Sequence, residues 1–149
     1  MAATTFWYGN ALLGQWSATA ARRVNWTGDT IKCSLHTSGY TPNQDTHDFQ
    51  DDLTNEVSGT GYTAGGVTLA NKTATYDAAS NEMRLDADDP AWTAVTITTR
   101  YAAFWVDTAG AAATDPLLAY MDFGGDQTVT GGNFTIVLAA TGLLKVTAS

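Results

Sequence analysis

The chain has 149 residues, enough for one domain, since a chain of this size buries roughly 68–70% of the surface it exposes when unfolded. With 44% hydrophobic and only 15% charged residues the composition excludes a disordered tail, and no apolar run approaches the roughly 20 residues of a membrane span. A net charge of −8 opposes a phosphate backbone, so neither nucleic acid nor membrane is expected as a partner.

In chain order, Phe6, Trp7 and Tyr8 come first, an aromatic cluster in what would otherwise be a frayed terminus. Aromatic clusters of this kind anchor protein interfaces, so these three are candidate protein-contact residues. The structural alternative is that they cover an edge of the fold. Asn10 to Val24 predicts the one clear helix, with Asn10 as N-cap and Leu12 or Leu13, Trp16, Ala20 and Val24 at near-helical spacing. Gly14 weakens that helix by about 1 kcal/mol relative to alanine. Arg22 and Arg23, the nearest approach to a basic patch, fall where cations complement a helix C-terminus. Both also join the candidate contact residues. The start of the chain lacks the basic segment and apolar core of a signal peptide, so secretory export is not expected.

Asp29 to His36 predicts a strand, with Ile31, Cys33 and Leu35 inward and Lys32, Ser34 and His36 on the polar face. Cys33 is the single cysteine, which leaves no intrachain disulfide and no Cys/His zinc cluster; its place in the alternation makes it a small core hydrophobe. HDFQDDLTNEV repeats Phe49, Leu53 and Val57 every four residues and predicts a second helical turn.

EVSGTGYTAGGVTLANKTATYD, from Glu56 to Asp77, carries Gly59, Gly61, Gly65 and Gly66. A dinucleotide loop needs a helix after the glycines, and a Walker loop needs Gly-Lys-Ser or Gly-Lys-Thr. Val67, Leu69, Thr73 and Thr75 follow instead, a β-branched alternation that predicts a strand from Val67 to Tyr76. The glycines therefore read as a long turn visiting positive φ.

Asp77 to Asn81 then reads as the turn of a hairpin leading into Met83, Leu85 and Ala87. Trp92 to Thr99, Tyr101 to Val106, Leu117 to Phe123, Gln127 to Thr130, Asn133 to Ala139 and Leu143 to Ala148 complete the strands, with Gly124-Gly125 and Gly131-Gly132 as separators. Many short strands at near-regular spacing predict a mainly β fold, an antiparallel β-sandwich with a short N-terminal helix. Residues 1–23 form an N-terminal arm and helix and residues 24–149 the sandwich, in a single compact domain overall.

Candidate chemistry is sparse. Asp45, Asp48, Asp51 and Asp52, and again Asp86, Asp88 and Asp89, cluster without the EF-hand order, so they read as solvated loops, and neither a metal nor a cofactor is expected. His36 and His47 belong to no nucleophile motif, and the chain is expected not to be an enzyme. Trp92 and Trp105, with Tyr101, offer a sugar-stacking platform if they share an exposed sheet face; tryptophans of a sandwich are otherwise core.

Taken together, VNWTGDTIKCSLHTSGYTPNQDTHDF, EVSGTGYTAGG, MRLDADDPAWTAVTITTRYAAFWVDT and YMDFGGDQTVTGGNFTIVLAATGLLKVTA resemble a group of small virion structural proteins of tailed bacteriophages, over most of the chain from Val24 to Thr147. The resemblance implies a virion component made in the host cytoplasm. A small acidic strand-rich domain suits a head decoration or cement protein, clamping the major capsid protein lattice from outside as a homo-oligomer, with a trimer favoured by local threefold positions. The alternatives are a tail- or fibre-associated carbohydrate or receptor-binding module, and a head–tail or tail-tube component.

Overall fold

The computed structural model describes residues 3–17 and 20–148. It is mainly β, with two antiparallel sheets and one short helix near the N-terminus, as the strand spacing predicts. The strands are β1 (Thr4–Trp7), β2 (Ile31–His36), β3 (Val67–Thr68), β4 (Thr73–Asp77), β5 (Glu82–Asp86), β6 (Ala91–Val106), β7 (Leu117–Thr135) and β8 (Leu144–Thr147). The helix α1 spans Gly9–Trp16. The larger sheet has the order β1-β7-β6-β2-β3 and the smaller β4-β5-β8.

Two strands build the frame. β6 and β7 form one long antiparallel hairpin, from Ala91 opposite Thr135 to Trp105 opposite Leu117, and register shifts along it bend the ladder. The predicted breaks at Gly124-Gly125 and Gly131-Gly132 do not end the strand: β7 runs through both pairs, and each pair coincides with a shift in the register with β6, with Gly124 at φ 78° and Gly131 at φ 60°. The predicted strand from Val67 to Tyr76, in contrast, splits into β3 and β4, which lie in different sheets. The β4–β5 hairpin forms in the expected place, with Asn81 at φ 55° in its turn.

The main core lies between the sheets. Ile31, Cys33 and Leu35 of β2, Phe104 and Ala102 of β6 and Met121 and Phe123 of β7 meet Leu85, Leu143 and Leu144, with Trp26 and Trp92 closing the cluster. A second, smaller cluster lies on the opposite face of the larger sheet, where Tyr8, Ala11, Trp105 and Leu117 pack with Leu53 and Tyr120. β2 is therefore covered on both sides, and Ser34 and His36 are as buried as their apolar neighbours. Of the polar face expected for this strand, that second layer covers Ser34 and His36 and leaves Lys32 half-buried.

The N-terminal segment contributes a strand to the larger sheet, with Thr4 opposite Asp122 and Trp7 opposite Ala119. The helix that follows is shorter than the predicted Asn10–Val24: α1 ends at Trp16, a separate 3₁₀ turn spans Ala20–Arg22, and residues 18 and 19 lie outside the described residues. Tyr8, not Asn10, occupies the N-cap position, and Asn10 accepts a hydrogen bond from the Arg22 guanidinium instead (3.2 Å). The buried helix face is the small-residue pair Ala11 and Gly14. A Cβ on Gly14 would collide with Arg22, so the glycine that costs helix stability permits this close crossing. The predicted second helical turn is a single 3₁₀ turn, Gln50–Asp52, whose Asp52 carboxylate accepts from the backbone N–H of Asp48 (2.8 Å).

The glycine-rich loop is a turn, as expected. Gly66, at φ 71°, passes so close to β2 that a Cβ would strike the carbonyl oxygen of Cys33. The loop is tied further by Glu56, whose carboxylate accepts from Tyr62 (2.7 Å) and from the Gly65 N–H (2.6 Å).

Candidate protein-contact site

The five predicted contact residues divide. Phe6 stacks on Tyr120, with ring centroids 5.0 Å apart. Tyr8 is wholly buried, and its hydroxyl meets Tyr40 at 2.7 Å, so it supports the second core and offers no surface. Arg22 pairs with Asp48 and lies over the Phe49 ring (5.3 Å), which leaves its charge committed within the chain. Arg23 is exposed and donates to the Ser17 carbonyl (3.1 Å). Only Trp7 reaches a surface feature of consequence, the wall of an apolar cleft, while its indole N–H donates to the Lys145 carbonyl (3.2 Å).

That cleft, of about 510 Å³, opens between α1 and the smaller sheet. Register explains its far wall: Tyr76, Met83 and Val146 sit directly opposite one another across β4, β5 and β8, on the face that carries Leu85 and Leu144 into the core. Beyond the larger sheet that face runs out of cover. Leu12, Trp16 and Val24 form the near wall, and Trp26 and Leu118 contribute to the lining. Trp16 is 89% exposed and Tyr76 59% exposed. Isolated exposed apolar residues are ordinary, but large aromatics converging on one concave surface mark an interaction site.

Sequence reasoning placed Trp16 on the inward helix stripe and did not single out Tyr76 or Met83. The overlooked signal was the small pair Ala11 and Gly14, which allows the backbone to approach and so takes the inner face. At about 100° per residue Trp16 is then rotated about 200° from Gly14, toward solvent.

The opposite face of the smaller sheet is ionic. Glu82 accepts from Lys145 (2.7 Å) and from Arg84 (2.8 Å), and these two cations hold its carboxyl down to about 2. Arg84 also reaches Asp77 at 2.9 Å. The apolar face and the ionic face thus alternate along the same three strands.

The remaining candidate residues are structural. Trp92 and Trp105 are both buried, so the exposed stacking platform is not formed; Trp92 packs with Phe134 and Tyr62, and Trp105 donates inward. Tyr101 is half-buried beneath Arg100. His36, expected on a wet face, lies in a directional chain: the Trp105 N–H donates to Ser34 Oγ (3.1 Å), Ser34 meets His36 Nε2 (2.9 Å), and His36 Nδ1 meets the Thr54 carbonyl (2.8 Å). A carbonyl only accepts, so Nδ1 carries a proton, and in the neutral ring Nε2 accepts from the Ser34 hydroxyl. Burial pushes the pKa of His36 down, against weaker opposing effects of the Thr54 hydrogen bond and Glu56. Burial likewise raises the Cys33 thiol far above its usual range, which suits packing and not nucleophilic attack. His47 meets the Tyr40 hydroxyl at 3.0 Å.

The acidic residues serve local geometry. Asp86 accepts from the Ala87 N–H, Asp88 from Asn71 and Asp89 from the Leu138 N–H. Among the described residues no group of three His, Cys, Asp or Glu side chains converges to hold a metal ion. Comparison with protein-family models, with characterised proteins and with solved structures finds no significant match.

Proposed function

We propose that this protein is a bacteriophage virion structural protein that decorates the outer surface of the assembled head and stabilises it. The observation that carries the reading is the apolar cleft, in which Trp16, Tyr76, Met83 and Val146 stand open to solvent on an otherwise acidic protein. The wording of the sequence, which resembles small phage virion proteins, supplies the partner: the major capsid protein lattice. A protein that binds only the assembled shell stabilises it by mass action, by about 2.7 kcal/mol per site when its free concentration is 100 times Kd.

Purified protein is mixed with expanded empty heads that lack it, and both the bound copy number and the shell melting temperature are measured. The expected result is binding in hundreds of copies with a raised melting temperature. Burying a large side chain contributes about 1.5–3 kcal/mol, so Trp16→Ser weakens binding by roughly ten- to a hundredfold. Absence of binding to heads overturns the reading. Co-assembly with tail tubes as rings would assign the protein to the tail.

A further inference from the structure

The two sheets have four edges, and three of them are accounted for. β3 is only two residues long. β1 and β8 face each other, joined by the hydrogen bond from Trp7 to the Lys145 carbonyl. β4 is the exception: among the described residues it pairs with β5 alone, and Thr73, Ala74, Thr75 and Tyr76 are all exposed.

Open edges are ordinarily blunted by proline, lysine or a bulge, because their free N–H and C=O groups template another strand. Within Thr73–Asp77, TATYD, there is none of these, and its register with β5 runs without a shift. The order of residues is also self-complementary. Turned antiparallel against itself about Thr75, the strand sets Thr75 opposite Thr75, Ala74 opposite Tyr76 and Thr73 opposite Asp77. The tyrosine ring lies over the small alanine, the threonine pair is a favourable cross-strand neighbour, and no carboxylate opposes another. Asp77 is in addition neutralised by Arg84 of its own chain. A shift by one residue turns Tyr76 to the ionic face, and a shift by two shortens the ladder, so the centred register is pinned.

We propose that β4 pairs with β4 of a second copy about a two-fold axis through Thr75, making one six-stranded sheet. The axis is perpendicular to the sheet, so both apolar faces lie on the same side. Tyr76 stands at the seam, and the two clefts become one continuous surface that neither copy presents alone. The interface is isologous, and it gives a dimer where threefold positions in a shell would suggest a trimer. Five paired residues make a contact below the standard interface size, so the dimer is weak in dilute solution and strengthens where copies are held close together. Each copy carries a net charge of −8, so added salt tightens it.

The test is Thr75→Cys. Opposed antiparallel residues have Cα atoms about 4.5–5.5 Å apart, within disulfide reach, and the native Cys33 is buried and does not compete. Mild oxidation is expected to give a cross-linked species of twice the 15.7 kDa chain mass, whereas Thr147→Cys on β8 does not. Sedimentation of the unmodified chain is expected to show a salt-strengthened monomer–dimer equilibrium. Thr75→Glu, which faces Arg84 within the monomer and its own copy across the seam, is expected to weaken that equilibrium at least tenfold with an unchanged circular dichroism spectrum. Cross-linking no greater than in Thr147→Cys, a trimer mass, or a dimer indifferent to Thr75→Glu would overturn the proposal. None of these outcomes depends on whether the protein binds heads.

Discussion

Lowering the pH from 7.5 to 5.5 tests the neutral His36 described above. The ring gains a proton readily once the chain unfolds, near the ordinary value of 6.5, but in the folded protein burial pushes that value down. Below pH 6.5 the unfolded state therefore binds more protons, and folding stability falls as the pH falls; the loss ends once the pH drops below the lowered folded value. Where the folded state takes up no proton, the loss is about 1.4 kcal/mol at pH 5.5. Protonation at Nε2 would also leave the Ser34 hydroxyl without its acceptor, since Ser34 already receives the Trp105 N–H. Urea unfolding followed by tryptophan fluorescence reads this as a fall in midpoint of about 0.7 M, for an m-value of about 2 kcal/mol/M. His36→Asn removes the titrating ring while retaining an N–H donor near Thr54. It is expected to be less stable at pH 7.5 by about 1–3 kcal/mol and to show a flatter response to acid. Equal losses in both proteins between pH 7.5 and 5.5 would refute the reasoning.

Gly66→Ala is expected to destabilise the fold by about 2 kcal/mol or more, because positive φ and a blocked Cβ act together; an unchanged urea midpoint would contradict the close approach to β2. Tyr8→Phe removes one hydroxyl from the pair with Tyr40 and should cost about 1–2 kcal/mol, with no effect on any partner bound at the cleft. Glu82 is held at about 2 by Lys145 and Arg84, so its contribution to stability is complete above the usual carboxylate range and disappears as the pH drops toward 2. Glu82→Gln should therefore unfold less steeply than the unmodified protein below pH 4.5, as measured by melting temperature across an acid series.

The strand alternation of Ile31, Cys33 and Leu35 and the turn chemistry of Asp77 to Asn81 were legible because both are local. Period two places a face inward, and a short polar segment reverses the chain. The burial of Ser34 and His36 was not legible, since it depends on a second layer built from residues far away in sequence, Tyr8 and Leu117 among them. The same holds for β7, where two glycine pairs look like stops but prove to be irregularities within one strand, because the long partner β6 resumes the ladder beyond each of them. Little of the cleft was legible. Of its residues only Trp7 was a contact candidate; Trp16 belonged to the expected inward stripe, and its outward direction follows from the helix phase, while cross-strand registers bring Tyr76, Met83 and Val146 together. Of the two readings of the aromatic N-terminus, contact element or cover for an edge of the fold, the pairing of β1 with β7 fits the second.

The pairing of β1 with β7 bears on how the chain acquires its structure during synthesis. Thr4 to Trp7 leave the ribosome more than a hundred residues ahead of their partners, Ala119 to Asp122. Closing such distant pairs requires a large loss of chain entropy before any contact rewards it, so folding is expected to be slow for a domain of this size. Until β7 arrives, Phe6, Trp7 and Tyr8 have no strand to lie against. Nascent chains that stall before residue 117 would therefore be those most prone to aggregate or to engage chaperones.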